Sequence, residues 1–306
     1  MGFWFCPVRS QGRDGAQGYG NVHGISLQFQ AAKLPRVWCR RARGKRVTVM
    51  PGSSIFARNR LLRALGEEGF SRLVARMEMI NLPVGYQLVG ANTPISRVCF
   101  IESGIASSVA RTEGGKSMEN MLVGREGMTG WPVLLGARTT PDETTMGVAG
   151  EGFVIAAADL RREMERDARL RDLLLGYINI CLLQVGQLVL ANGQYALRER
   201  LSRWLLMCHD RLDTDDLPIT HEFMSSVLGV RRPGITNELH ILEGMRAIRA
   251  TRGNVRIIDR KVLEETAGVT YGVPEKEYES LMAQWRAEIP IPSGLPVEGI
   301  GEGNHF

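Results

Sequence analysis

Between Thr220 and Ile258 the chain gathers side chains suited to one chemistry, hydrogen bonding to phosphates and to base edges. Arg231, Arg232, Thr236, Asn237 and His240 share one side of a helical period, and Val230, Ile235, Leu239 and Leu242 share the other. A guanidinium can pair with two acceptors of guanine or phosphate, and a carboxamide matches adenine. From Arg231 to Arg256 six arginines stand against Glu238 and Glu243, a local net charge of +4. Such a face can neutralise a polyanion.

The neighbouring residues read as the scaffold for that face. Pro218 halts the chain, Thr220 is a good N-cap and Glu222 suits the first turn, so a helix runs from His221 to about Leu228. Ser225 and Gly229 give a small residue in that helix and a glycine in the turn, as two helices crossing near a right angle need. Ala247–Thr251, the tip Arg252-Gly253-Asn254 and Val255–Ile258 form a two-stranded hairpin with a basic end, a wing within reach of a DNA backbone. Each piece alone is commonplace. Their order points to a DNA reader.

Upstream, Leu173–Leu197 is 25 residues without a charged side chain. As a helix it spans about 37 Å, enough to cross a bilayer. Asn179, Gln184, Gln187, Asn192 and Gln194 argue against lipid, where amides find no water. Leu174, Ile178, Cys181, Val185 and Leu188 alternate in steps of four and three, the seam of a helix–helix contact with a second copy of the chain. Leu175, Leu182, Leu183 and Leu190 face away from that seam and need another surface.

The region before this helix reads as β-rich. Asn59–Met79 is a helical lead-in. Leu82-Pro83-Val84-Gly85, Val98–Ile101, Ile105–Arg111, Met118–Val123 and Gly147–Ala156 follow as short strands, with turns at Glu102-Ser103-Gly104 and Glu113–Lys116. Ala110-x-x-x-x-Gly115-Lys116-Ser117 formally resembles a phosphate-binding loop, but a strand follows it where a helix is required, so it reads as a hairpin. Asp159–Asp172 is a charged helix running into the uncharged stretch. Gly193 marks a break, and Tyr195–Leu212 is a further helix.

An apolar fraction of 44% and a charged fraction of 23% are ordinary for a globular protein of two domains. The net charge of +5 comes from residues 1–49, which hold nine Lys/Arg and Asp14 as the one acid. That stretch reads as a disordered basic leader, with Met50 as an alternative start. The sequence lacks a secretory h-region, and Cys6, Cys39, Cys99, Cys181 and Cys208 are scattered, which fits a reducing cytoplasm and neither a disulfide framework nor a metal site. The five histidines (23, 209, 221, 240 and 305) do not cluster, and no nucleophile–base set is visible, so an enzyme is the weaker reading.

Over about residues 55–265 the chain resembles the Crp/Fnr superfamily of bacterial transcription regulators, most specifically at Thr220–Gly229, Val230–Leu242 and Gly253–Asp259. Pro83-Val84-Gly85, Phe100–Gly104 and Gly127–Gly130 resemble the family's cyclic-nucleotide-type β-roll. The resemblance implies an α+β chain. Its parts are a basic leader at 1–54, a jelly-roll-like β-roll at 55–165, a dimerisation helix at 166–193, a winged helix-turn-helix domain at 194–268 and an extension at 269–306. It implies a homodimer on a palindromic operator, with RNA polymerase as a further partner.

Departures from the family qualify these expectations. Its cyclic-nucleotide binders hold ribose through Gly-Glu and phosphate through Arg-Ser or Arg-Thr. Here the matching positions are Gly127-Met128-Thr129-Gly130 and the stretch around Thr144 and Thr145, with Glu143 in place of an arginine. Methionine cannot accept a ribose hydroxyl, so the pocket reads as degenerate, without tight cyclic AMP binding. Cys6 and Cys39 are too few for the iron–sulfur cluster of the family's oxygen sensors. In the reading helix Pro233 cannot contact a base, so the operator differs from the archetypal one. Arg232 is expected on guanine and Asn237 on adenine, with Arg231, His240 and Arg252 on phosphate and Thr220 and Thr236 beside them. The rival reading is a ligand sensor whose helical domain binds protein.

Overall fold

The computed structural model describes residues 57–287. The expectations for the basic leader, Met50, Cys6 and Cys39 fall outside them, as does the end of the extension after residue 287. The lead-in is two helices, α1 (Arg60–Ala64) and α2 (Gly66–Val74), where one was expected to Met79. Gly66 breaks it with φ +70°, and Glu78–Leu82 is already the first strand, β1. Asn59 fixes the start. Its side chain accepts from Leu61 N and Leu62 N and donates to the carbonyls of Ile101 and Gly127, while Glu102 accepts from its backbone N–H.

The strands β1, β2 (Gln87–Val89), β3 (Arg97–Arg111), β4 (Ser117–Val123), β5 (Met128–Thr129) and β6 (Glu143–Ala156) form one antiparallel sheet. Its order is β1-β6-β3-β4, with β2 added on β6 and β5 on β3. The expected turn at Glu102–Gly104 is instead a bend inside β3. Register shifts accumulate there, Gly104 takes φ +81°, and a Cβ on the facing Gly150 would lie 1.9 Å from the Ser103 carbonyl oxygen. Bulges of this kind curl a long two-strand ribbon over itself, so β3 and β6 each serve both halves of a roll around Leu82, Phe100, Ile101, Met128 and Ile155. Glu113–Lys116 is the expected hairpin, with Gly115 at φ +79° and a strand, not a helix, after it.

A charged helix, α3 (Ala157–Arg166), ends at Asp167, which then caps α4 (Ala168–Gln194) by accepting from Leu170 N. The helix passes through Gly193 and breaks at Tyr195, in extended backbone. Beyond it lie α5 (Leu197–Arg211), β7 (Asp216–Leu217), α6 (His221–Leu228), α7 (Arg232–Gly244), β8 (Ile248–Thr251), β9 (Asn254–Ile257), α8 (Arg260–Ala267) and α9 (Val273–Ala287). β7 pairs with β9, so the hairpin expected with two strands has three. α9 lies in the extension after residue 268 and packs on α4. Leu281 meets Gly176, and the Arg169 guanidinium lies 5.6 Å from the Trp285 ring centre.

The roll and the helical unit share a core. Ile105, Leu122 and Val148 of the sheet pack with Leu201, Trp204, Leu205 and Met224. Phe223 lies so close over Gly147 that a Cβ there would meet its ring at 2.2 Å, and it packs edge-on against Trp204. At the centre of this joint is Glu119 of β4, fully covered, accepting from Trp204 Nε1 at 2.8 Å and from the Ser107 hydroxyl. Burial pushes its carboxyl up to about 7, against the lowering effect of those two bonds and of Arg211 and Arg203. The folded chain therefore keeps a proton that the unfolded chain releases from about pH 4.5 upward. Stability from this group is present in acid and is lost as pH rises toward 7. In urea titrations the unfolding free energy of the native chain should fall between about pH 5 and pH 7 more steeply than that of Glu119→Gln; identical slopes would show that Glu119 does not titrate in this range.

Candidate nucleic-acid interface

The two helices α6 and α7 are locked at their junction. Thr220 caps α6 by accepting from Phe223 N at 3.1 Å, and Gly229 closes it in the left-handed region at φ +66°. The Ser225 hydroxyl donates to the Val230 carbonyl at 2.5 Å, and Arg200 of α5 donates to the Leu228 carbonyl at 2.7 Å. Residue 229 lies beside the Met118 side chain of β4, and its left-handed φ is a conformation that glycine adopts without strain.

α7 buries Ile235, Leu239 and Leu242 and leaves Arg231, Arg232, Pro233, Asn237, His240 and Ile241 exposed. Pro233 sits in the first turn, where no helical N–H is lost. Both acids of this segment are occupied inside the unit. Glu238 pairs with Arg198 of α5 at 2.9 Å, and Glu243 accepts from Ala250 N at 2.8 Å, tying the helix to β8. The other oxygen of Glu243 lies 3.2 Å from His240 Nδ1. Among the described residues, Arg256 alone of the six arginines has an ion-pair partner, Asp216 of β7. Arg252 stands exposed beside Gly253, whose φ of +79° makes the two-residue turn of the β8–β9 hairpin.

Thr236 is placed differently from its companions. It is half-buried, with its hydroxyl donating to the Arg232 carbonyl and lying 3.2 Å from His221 Nδ1. His221 is itself held below the usual histidine range by burial and by Arg232 and His240. The pair joins α6 to α7, so Thr236 positions the face rather than belonging to it.

The expected helix–helix seam on α4 needs correction. Leu174, Ile178 and Cys181 are buried in the chain's own core, and Val185 and Leu188 are partly covered. The sheet on one side and α9 on another use that face. What remains open is chiefly a second stripe at the same spacing, Leu175, Asn179, Leu182, Gly186 and Val189, with Leu175, Leu182 and Val189 40%, 58% and 67% exposed and Leu190 beside it 44% exposed. Periodicity reveals that a helix has two apolar faces, but not which of them its own fold consumes.

The six residues of the degenerate pocket lie on two separate parts of the roll, Gly127–Gly130 at β5 and Thr144 and Thr145 in β6. Thr144 and Thr145 sit in β6 opposite β2 and β3, and Thr129 pairs with Cys99 of β3. Space beside Gly127 and Met128 is taken by Tyr177 of α4. Its hydroxyl accepts from Met128 N at 3.2 Å and donates to the Met128 carbonyl at 3.4 Å. Gly130 packs against Val98 and Ile95. Glu143 pairs with Arg111 at 3.2 Å. Sequence reasoning missed Tyr177, Glu119, Trp204 and Arg211 as determinants. The signal for Tyr177 was a single aromatic residue among the aliphatic and amide-bearing residues 173–194.

The family model of the Crp-like helix-turn-helix domain matches residues 199–266. FixK2 from Bradyrhizobium japonicum has a similar structure, with 14% identity and a TM-score of 0.56 over 63% of this chain and 98% of that one. A putative transcriptional regulator of the Crp/Fnr family from Eubacterium rectale has 18% identity and a TM-score of 0.53 over 64% and 93%. A CRP/FNR family transcriptional regulator from Thermus thermophilus has 18% identity and 0.52 over 62% and 98%. At such identities the likeness is one of fold. No curated protein matches the sequence. A Cβ at residue 127 would lie 2.1 Å from the Tyr177 hydroxyl, so Gly127→Ala should cost about 1–3 kcal/mol in urea unfolding; an unchanged midpoint would mean that Tyr177 does not fill this space.

Proposed function

Because residues 199–266 are a Crp-like helix-turn-helix domain on a chain with the fold of the Crp/Fnr regulators, we propose that the protein is a homodimeric transcription regulator reading a palindromic operator. One observation carries the proposal: α7 turns Glu238 and Glu243 inward and leaves Arg231, Arg232, Asn237 and His240 outward, without a carboxylate among them except through the His240–Glu243 contact. A helix inserted in a major groove needs that arrangement, with long donors outward and no acid facing phosphate. Arg232 takes guanine and Asn237 adenine. Arg231, His240, Arg252 and the exposed N-cap Thr220 take backbone.

The second copy seats on α4 through Leu175, Asn179, Leu182, Gly186 and Val189. Glycines at 186 and 193 have open space around them, which lets a partner backbone approach. α4 is long and apolar enough to cross a membrane. Its burial against the roll and α9, and the bond from Gln184 Nε2 to the Leu122 carbonyl at 3.3 Å, favour the dimer and a cytoplasmic setting. Tyr177 beside Gly127 and Met128, and Glu143 where a phosphate site would need a cation, favour action without cyclic AMP. RNA polymerase is the further partner that the resemblance implies. Among the described residues no group of His, Cys, Asp and Glu could hold a metal ion.

Binding-site selection from random duplexes tests the reading. A palindrome with half-sites about 34 Å apart supports it; the absence of any enriched motif favours the rival, a sensor whose helical unit binds protein. On the selected operator, Asn237→Ala should relax one position at a cost of about 1–3 kcal/mol. Arg252→Ala should weaken all sequences alike and reduce the salt slope by about 1. The same profile for both would contradict the division of roles. In sedimentation, Leu182→Glu should give a monomer while Ile178→Val remains a dimer; a dimeric Leu182→Glu would place the seam elsewhere.

A further inference from the structure

A cavity of about 940 Å³ lies where α1, the turn after β4, α4, the ends of α5 and α8, and α9 meet. None of the residues assigned above to DNA, to the dimer stripe or to the degenerate pocket lines it except Cys181, which the fold removed from the seam. Its wall on α4 is Tyr177, Cys181 and Gln184, and Pro274–Glu279 contribute from α9. The extension of unassigned role thus helps to enclose it. Tyr278 donates from its hydroxyl to the Glu126 carbonyl at 2.7 Å, and Glu279 holds Arg60 at 2.6 Å.

Among the described residues, seven basic and five acidic side chains line this space. Most have partners: Arg211 with Glu126 at 2.7 Å, Arg260 with Asp210 at 2.8 Å, and Arg58 and Arg125 with Asp213, just outside the lining. Arg63 and Lys276 have no ion-pair partner among the described residues. Flat surfaces accompany the charge. The Arg60 guanidinium lies 4.8 Å from the Tyr278 ring centre and that of Arg260 5.7 Å from Tyr271. Guanidinium planes and phenol rings both stack on planar ligands, and the volume suits an organic molecule rather than a bare inorganic ion.

We propose that this cavity is a binding site for a small organic anion with a flat ring, a phosphorylated or carboxylated aromatic compound, whose charge is taken by Arg63 and Lys276. The walls belong to the sheet unit, to α4 and to the helical unit at once. A ligand there is therefore positioned to bias how the DNA-reading unit docks. That regulatory part rests on the function proposed above; the binding itself does not.

The probe is phenyl phosphate, titrated calorimetrically into the full chain. Saturable binding to one site, tighter than that of inorganic phosphate, is expected. Arg63→Gln with Lys276→Gln, both at exposed positions, should weaken it about tenfold or more with circular dichroism unchanged. Absence of binding at millimolar phenyl phosphate, equal affinity for inorganic phosphate, or full affinity in the double variant would overturn the site. Phenyl phosphate should also change affinity for the selected operator in the native chain and not in the double variant. Binding with unchanged operator affinity would overturn the regulatory part alone. A chain that selects no operator would sink the proposed function, while calorimetry still decides the site.

Discussion

The division of α4's apolar surface governs the rest of the molecule. A helix with apolar residues nearly all round must find cover on several sides. The roll covers Leu173, Leu174 and Tyr177, and Leu281 of α9 lies over Gly176. The uncovered remainder is chiefly the stripe Leu175 to Val189, alternating large apolar residues with Asn179 and Gly186, with Leu190 beside its end. Such a stripe fits a two-fold contact, in which the same patch meets itself. On that reading, the position of each reading helix in a dimer follows from which face the intramolecular packing leaves open. The extension after residue 268 is then part of the apparatus, because it fixes which stripe is left.

A second constraint is the placement of acid. The helical unit is not strongly basic in composition, yet its outer face is basic because its carboxylates are employed elsewhere. Glu238 holds α5, Glu243 holds β8, and Asp216 holds Arg256 and Asn254 of the wing. Each such bond builds the scaffold and also removes a negative charge from the side where phosphate would lie. Glu119 carries the same economy into the joint with the roll. There an acid that burial would protonate accepts two hydrogen bonds and connects β4 to α5. A joint made of one tryptophan, one phenylalanine over a glycine and one buried carboxyl is specific in geometry, and its carboxyl is sensitive to proton concentration.

Much of the fold was legible in the residues. The cap at Thr220, the turn glycine at 229, the apolar period of α7 and the wing tip at Gly253 are local signals, set by backbone conformation and short-range hydrogen bonds, and they lie where the sequence puts them. What was not legible depends on long-range packing. Glu102–Gly104 looks like a turn because glycine ends strands, but β6 continues to pair across it, and only the register shifts between the two strands make it a bend. Much of the expected seam on α4 is taken up by the chain's own core, because two faces have the same spacing and a sheet and an extension far away in sequence cover one of them. Thr236 falls on the outward period of α7, but its hydroxyl donates to the Arg232 carbonyl and lies against His221 of the other helix. The degenerate pocket was inferred from missing ligands at 128 and 143. The position of Tyr177 beside Gly127 and Met128 needed coordinates, since residues 128 and 177 carry no shared pattern.

The claim that two chains present paired α7 helices to one face of a duplex can be tested directly by hydroxyl-radical footprinting of the full chain on DNA carrying its preferred site. The account predicts two protected tracts on the same face, symmetric about a dyad and centred about 34 Å apart. A single protected tract, or uniform protection without a dyad, would contradict it.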